Sequence, residues 1–351
     1  MFITGLGTAV PPRSFTQREC WEALNRARRP EITTRTRAIL QGILTHDNGI
    51  ERRSLALDDL DEGFDLDPDT LHRRFVKNAP ALASEAARRA LDDAGLRAGE
   101  IDAVVVSTCT GYLCPGLTSY VGEALGLRAD AVHFDLVGQG CGAALPNLRA
   151  CDALVAAGRA RNVLSVCVEV CSAAFYLDDD LGVLVSACLF GDGAGAAVVS
   201  SQPRAGARRV EWKGAATLNA PQHREALRFE QRGGMLRNIL TLPVPKLAAQ
   251  HARLVLDQAL ADAGLAQSDI SGWVMHAGGR RVLEELQSRL GLQGADVGVS
   301  SAVLHQYGNL SSPFVLFVLQ AALREGRAGG TWWMSSFGAG FSCHGALLEV
   351  A

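Results

Sequence analysis

Ala90-Leu91-Asp92-Asp93-Ala94-Gly95-Leu96 returns, with one residue changed, as Ala259-Leu260-Ala261-Asp262-Ala263-Gly264-Leu265, 169 residues further along a chain of 351. Each copy is followed by an acidic residue and isoleucine, Glu100-Ile101 and Asp269-Ile270, and then by an apolar run, Ala103 to Ser107 and Gly272 to Met275. Glycine accepts the left-handed conformation with which helices commonly end, so each copy reads as a helix that stops and leads into a buried strand. An offset near half the chain predicts two tandem copies of one α/β unit, residues 1–215 and residues 216–351. Helices flanking the strands predict helix layers around mostly parallel sheets, with functional residues converging near the pseudo-twofold axis. The polar stretch from Ser201 to Gln231 is where the halves are expected to meet.

The repeat directs attention to Val137-Gly138-Gln139-Gly140-Cys141-Gly142-Ala143-Ala144, where a short strand (Ala131 to Leu136) turns into an Ala- and Leu-rich helix (Ala143 to Ala157). A lone cysteine is more often a small core residue than a nucleophile. Here a helix start favours the thiolate, predicting a lowered thiol pKa, and the flanking glycines leave backbone amides open to an oxyanion. The same offset carries Cys141 to Leu310, beside Asn309 in Gln306-Tyr307-Gly308-Asn309-Leu310-Ser311-Ser312, another glycine-containing turn before an apolar helix. His276 ends the apolar strand Gly272 to Met275 and is followed by Ala277-Gly278-Gly279. Alone, His276 reads as a structural histidine and Asn309 as a helix cap. Together with Cys141 they supply a nucleophile, a proton acceptor and an oxyanion donor.

Lys and Arg (34) nearly balance Asp and Glu (37), so no broad field for nucleic acid or an anionic membrane is implied. Nine cysteines in apolar segments form no secreted disulfide framework and suit a reducing compartment, with cytoplasm as the expected location. The start, Met1 to Val10, lacks a basic region with a long apolar run, and no apolar segment reaches membrane-spanning length, so no stable membrane association is expected. Arg26, Arg28, Arg29, Arg35 and Arg37 form a basic region that fits a solvated helix face or an anionic-ligand site.

Other patterns lead elsewhere. His305 is an alternative base without the strand-end glycines, and a structural role is expected for it. Gly191-Asp192-Gly193-Ala194-Gly195-Ala196 imitates a dinucleotide fingerprint but runs into a strand, Ala196 to Ser200, instead of opening a helix. Cys109 with Cys114, and Cys167 with Cys171, lack partners at zinc-ligand spacing. Asp178-Asp179-Asp180 reads as a solvated loop.

Gly140-Cys141-Gly142, Trp273-Val274-Met275-His276-Ala277-Gly278-Gly279 and Tyr307-Gly308-Asn309-Leu310-Ser311-Ser312, with Leu189-Phe190-Gly191-Asp192-Gly193, together resemble the bacterial type III polyketide synthases, the chalcone-synthase-like group, from about Arg52 to the end. The resemblance implies a duplicated thiolase fold with five αβαβα layers and a homodimer. It implies that Cys141 takes an acyl group from a CoA thioester. His276 and Asn309 would hold the thioester carbonyl during decarboxylation of malonyl-CoA and Claisen condensation.

By the same resemblance Phe190 gates the passage from the CoA tunnel to the cavity. Cys109, Cys171, Ala174 and Ser311 line the wall, Cys114 reaches toward the partner's cavity, and Arg52 and Arg53 contact CoA phosphates. Asn238 stands where the group has a second gatekeeping aromatic, and Phe337 opens a glycine loop with Ala339 in place of proline. No metal or redox cofactor is implied. A ketoacyl-carrier-protein synthase III is the neighbouring alternative, distinguished by His-Gln-Ala-Asn in place of His276-Ala277-Gly278-Gly279. A noncatalytic partner subunit on the same fold would commonly lose the nucleophile. The small polar wall suggests a short or malonyl-derived starter and a resorcinol-type, phloroglucinol-type or pyrone product. A fatty starter would need a tunnel past Cys171 and Ala174.

Overall fold

The computed structural model describes residues 1–351. The first half runs β1 (Phe2–Ala9), β2 (Ser14–Thr16), α1 (Gln17–Arg26), α2 (Thr34–Thr45), β3 (Arg52–Ser54), α3 (Pro68–Ala94), β4 (Ala103–Thr108), α4 (Leu117–Leu125), β5 (Val132–Val137), α5 (Ala144–Ala156), β6 (Asn162–Glu169), α6 (Leu181–Leu189) and β7 (Gly193–Ser200). The second runs β8 (Val210–Arg224), β9 (Leu227–Arg232), β10 (Met235–Leu240), α7 (Val244–Ala263), β11 (Ile270–Met275), α8 (Arg280–Leu290), α9 (Gly294–Tyr307), α10 (Phe314–Arg324), β12 (Gly330–Gly338) and β13 (Gly340–Val350).

The repeated segments end α3 and α7, and both glycines take the left-handed conformation, Gly95 at φ 67° and Gly264 at φ 66°. In each, the residue after the glycine donates five residues back, Leu96 to Leu91 and Leu265 to Leu260. The strands that follow, β4 and β11, occupy matching places. The order β5-β4-β6-β7-β1 continues as β8-β13-β12-β11, and the two sets join at the single register pair Phe2 and Glu211. β8 starts at Val210 and pairs with β13, so a division at 215/216 falls inside a strand of the second sheet.

Alternation along the strands builds the layers. Val104 and Val106 face α3 and α4, whereas Ala103 and Val105 face the interior. In the second half Trp333 faces α7 and α8, and Trp332 and Met334 face inward. Between the sheets lie α5 and α10, whose Leu148 and Phe314 to Leu319 fill the central core. The result is a five-layer αβαβα stack. On β1, a Cβ at Gly5 would stand 2.3 Å from the Ala90 carbonyl oxygen and one at Gly7 2.1 Å from that of Ala86, so only glycine lets α3 lie this close.

The sheets are mixed, not mostly parallel. β4 pairs parallel with β5 and β6, and β11 with β12, but β7 runs antiparallel to β6 and β1, and β13 antiparallel to β12 and β8. Ala339 alone separates β12 from β13, and a connection that short cannot make the crossover a parallel pair requires.

Candidate active site

Cys141 sits in a single 3-10 turn, Gly140–Gly142, immediately before α5. That turn is pressed against the end of β12 from the other half. A Cβ on Gly338 would lie 2.3 Å from the Gln139 carbonyl oxygen and 2.6 Å from the Gly142 nitrogen, so the two backbones touch without side chains between them. Ser336 Oγ donates to the Gly142 carbonyl at 2.9 Å and fixes the contact. Next along β12, the Phe337 ring meets the His276 imidazole edge to face at 5.0 Å, and Phe314 at the start of α10 meets it at 5.3 Å.

Asn309 closes the arrangement from the turn before α10. Its backbone is clamped to the end of α6: Asn309 N donates to the Leu189 carbonyl, and Gly191 N donates to the Asn309 carbonyl. Its Nδ2 donates to the Gly278 carbonyl at 3.2 Å, two residues past His276, and its Oδ1 accepts from Ser311 N at 2.8 Å. Ser311, at φ 60°, turns its hydroxyl onto Cys141 and donates to Sγ at 3.2 Å. A continuous chain of contacts therefore runs from Cys141 through Ser311 and Asn309 to the loop that carries His276.

The electrostatics are those of a dry site. Burial pushes the Cys141 thiol up to about 12, against the Ser311 hydrogen bond that pulls it down. This reverses the lowered pKa expected from the helix start, because the cost of desolvating a thiolate outweighs a helix-end field. Burial also takes His276 down to about 3. The pair rests as thiol and neutral imidazole. Both ring nitrogens of His276 are buried without a hydrogen-bond partner, an arrangement that structural histidines avoid. Cys141 as a whole residue keeps 8 % of its surface exposed.

Cys141 packs on Cys171 and Phe190, and these two line a small cavity with Ala174, Asn238 and Ser311. The buried Asn238 Oδ1 has no partner there. Cys109 lies just behind the wall, its sulfur 3.6 Å from Ser311 Oγ and 3.3 Å from Glu169 Oε1. Phe337 packs on His276 and Phe341 and does not line the cavity. Cys114 is exposed on the loop between β4 and α4, outside this cavity. His305 is also at the surface, 3.5 Å from Glu51.

Arg53 cannot reach a CoA phosphate. It is 3 % exposed, and its guanidinium is spent on Gln17 Oε1, the Ala187 and Phe190 carbonyls and Cys20 Sγ. Arg52, half-buried on β3, keeps an unpartnered Nε. Nor is Asp178-Asp179-Asp180 a free loop. Asp178 and Asp180 hold Arg237 at 3.0 and 2.9 Å, and Asp179 accepts from Thr33 N at the start of α2.

Sequence reasoning overlooked Glu169. Fully buried at the end of β6, it accepts from Thr108, Cys109, Thr110 and Ser312, and burial raises its pKa. A charged residue closing an otherwise apolar strand was the available signal.

Comparison with known proteins matches residues 1–203 to the N-terminal domain of chalcone and stilbene synthases and residues 217–349 to their C-terminal domain. The chain belongs to the chalcone and stilbene synthase family. Within it, a 3,5-dihydroxyphenylacetyl-CoA synthase of Streptomyces toyocaensis is 31 % identical over 99 % of this chain and 89 % of its own. An alpha-pyrone synthesis polyketide synthase-like protein of Mycobacterium tuberculosis is 29 % identical over 99 % of this chain and 91 % of its own. The crystal structure of 1,3,6,8-tetrahydroxynaphthalene synthase from Streptomyces coelicolor superposes with a TM-score of 0.90 at 26 % identity, covering 99 % of each chain. The chain is a type III polyketide synthase, an acyltransferase whose family works through a cysteine-bound intermediate.

Proposed function

We propose that Cys141 is the acyl-carrying nucleophile, with His276 and Asn309 as its partners in decarboxylation and condensation. The observation that carries this reading is the unbroken contact chain Cys141–Ser311–Asn309–Gly278 beside a histidine with two unpartnered nitrogens. His276, neutral at pH 7, takes the Cys141 proton as sulfur attacks the starter thioester, and returns it to the departing CoA thiolate. Malonyl-CoA then loses CO2, and the electron pair left behind forms an enolate. An imidazole N–H and the second Nδ2 hydrogen of Asn309 stabilise its oxygen. The enolate carbon attacks the Cys141-bound carbonyl, sulfur leaves as thiolate, and the lengthened chain, now on CoA, returns to Cys141 for the next round. These steps balance without a metal or redox cofactor.

The CoA phosphates fall to Arg26, Arg28, Arg29 and Arg37, which line a wide surface recess at α1 and α2, and not to Arg53. The contact of Asp179 with Thr33 seats this recess beside the segment leading to the cavity. Cys171, Ala174, Phe190, Asn238 and Ser311 shape the cavity around the chain, and the product is an aromatic ring of resorcinol or phloroglucinol type or a pyrone.

The working unit is a homodimer. β5 is a sheet edge whose Val132, Phe134 and Val137 are all exposed, and an unpaired edge with apolar side chains is best covered by a second copy across a twofold axis. Thr118 donates to Asp135 on this edge from its backbone and hydroxyl, and Gly116 packs against the same carboxylate, so the Cys114 loop lies beside the edge and can reach the second copy. No helix is long and apolar enough to cross a membrane, and nine free cysteines suit the cytoplasm.

The test is release of labelled CO2 from malonyl-CoA and product formation with a panel of acyl-CoA starters. Wild type is expected to do both. Cys141→Ala should form no product, a loss of at least about 1,000-fold, and ordinary product formation by this variant would refute the assignment.

A further inference from the structure

Asn238 carries a polar atom that the protein itself leaves unused. It lies on β10 opposite Phe229 of β9, and both side chains line the cavity beside Cys141. The residue is 7 % exposed, and its Oδ1 is buried without a hydrogen-bond partner. Arg237, next along the strand, cannot serve it, because all three guanidinium nitrogens that donate are held by Asp178, Asp180 and Glu230. An unpaired buried acceptor destabilises a protein, and an apolar side chain of similar volume would not. At a position where the group has an aromatic ring, this chain therefore holds a carboxamide to the detriment of its own stability.

The hydroxyls of the same wall are already engaged. Thr110 Oγ1 donates to Glu169 and accepts from Val170 N, Ser186 Oγ donates to the Val183 carbonyl, and Ser311 Oγ donates to Cys141 Sγ. Asn238 Oδ1 instead awaits a donor carried by the substrate. The χ2 torsion of asparagine is soft, so this oxygen can turn toward a chain that fills the cavity. A saturated acyl group has no O–H to offer, and a plain ketone only accepts. After two extensions the chain contains a 1,3-dicarbonyl unit, whose enol form does carry an O–H.

Such an enol is nucleophilic at its oxygen and at its carbon. Attack by oxygen on the thioester carbonyl forms a C–O bond, breaks the C–S bond and passes the enol proton to the departing sulfur, which releases a pyrone. Attack by carbon on a chain carbonyl forms a C–C bond, while the enol oxygen becomes a carbonyl and its proton moves to the oxygen of the attacked group. Resting on the polyketide synthase reading, we propose that Asn238 determines which closure occurs: its Oδ1 accepts the enol hydroxyl of the extended chain and thereby occupies that oxygen. The hydrogen bond draws the proton toward Asn238 and leaves more electron density on the enol carbon, which attacks. The amide oxygen takes no proton itself, so Asn238 sets specificity and is not a general base.

The test is the ratio of carbon-closed product to pyrone, formed from butanoyl-CoA and malonyl-CoA and measured by chromatography and mass spectrometry per CO2 released. Wild type should give mainly carbon-closed product. Asn238→Leu and, separately, Asn238→Ala remove the acceptor, and each should lower the ratio about three- to tenfold, the worth of one hydrogen bond. Asn238→Asp keeps an acceptor in the same shape and should stay within about twofold of wild type.

Thermal melts separate this role from a structural one and serve as the fold check for each variant. Asn238→Leu should melt about 1–2 °C above wild type, because it removes an unpaired buried acceptor. A melt below wild type with an unchanged product ratio would assign Asn238 to the fold and overturn the inference. So would unchanged ratios in folded Asn238→Leu and Asn238→Ala, a ratio in Asn238→Asp as low as in Asn238→Leu, or a wild type that makes only pyrones while releasing CO2. A wild type that releases no CO2 and forms no product with any starter would instead overturn the polyketide synthase reading, and this inference with it.

Discussion

The hydroxyl of Ser311 donates to the sulfur of Cys141 across 3.2 Å, bringing a residue of the second half onto the nucleophile of the first. The donor stabilises thiolate more than thiol, so it lowers a pKa that burial holds at about 12. Ser311→Ala should therefore raise the thiol pKa by about one unit or more, the value of a charge-assisted hydrogen bond. The measurement is the rate of Cys141 carbamidomethylation at fixed pH, followed on its peptide by mass spectrometry, with an expected drop of about tenfold. Ser311→Gly separates hydroxyl from backbone, since glycine accepts φ 60° freely. It should lose the same rate, and a normal rate in Ser311→Gly would assign the effect to backbone strain.

His276 predicts acid sensitivity. Its folded-state pKa of about 3 lies below the ordinary 6.5, so between these values the unfolded chain binds a proton that the folded one refuses. Stability is complete above pH 6.5 and falls as pH drops through that window, by about 2 kcal/mol between pH 7 and pH 5 from this residue. His344, held at about 4, adds in the same direction, whereas buried Glu169 and Asp192, with raised pKa values, act with the opposite sign. The difference between wild type and His276→Gln isolates the histidine. Denaturant melts at pH 7 and pH 5 should show the variant losing less stability on acidification, while its CO2 release falls about 100-fold or more.

What could be read from the sequence was local or repeated. Gly95 and Gly264 announced the duplication because a helix stop is encoded in the residue that makes it. Cys141, His276 and Asn309 were identifiable because each stands at a strand or helix end marked by glycine. The partners of long side chains were not legible. Arg53 stands among polar neighbours and Arg237 among mostly apolar ones, yet only the tertiary fold reveals that the first is locked inside and the second clasps two acidic residues from 57 and 59 positions away. Strand direction was also hidden, because it depends on connection length across the whole unit and not on the alternation within a strand. The helix-start argument for a reactive thiolate failed for a related reason, as desolvation is a property of the packed site.

Arg53 gives a prediction that separates folding from CoA binding. Arg53→Ala leaves the Ala187 and Phe190 carbonyls and Gln17 without their donor inside the protein, a cost of about 3 kcal/mol. Urea melts should show that loss, while KM for malonyl-CoA in the folded fraction stays within about threefold. Arg37→Ala, at the recess of α1 and α2, should show the converse: stability near wild type and a KM raised about fivefold to twentyfold, as expected for a lost charge-assisted phosphate contact. A large KM increase in Arg53→Ala without destabilisation would restore it as a phosphate ligand.

Arg237 ties the hairpin of β9 and β10 to the segment before α6. Its guanidinium, 9 % exposed, is held by Asp178 and Asp180 from that segment and by Glu230 from the neighbouring strand. The hairpin supplies Phe229 and Asn238 to the wall of the cavity, and Asp180 also caps α6, which leads to Phe190. A partly buried ion pair stripped of one member leaves the others unpaired, so the cost falls on the cavity wall and not on the remote core. Arg237→Ala should lower stability by about 1–3 kcal/mol and speed amide hydrogen exchange selectively over 227–240. Because a loosened wall controls the folding of the extended chain more than the chemistry at sulfur, products should shift toward prematurely released pyrones while CO2 release per Cys141 changes by less than about threefold. Lysine in its place restores one charge but not the fork that spans three carboxylates, and Arg237→Lys should recover only part of the product profile. An unchanged product distribution in folded Arg237→Ala would show that the hairpin holds its position without the clasp.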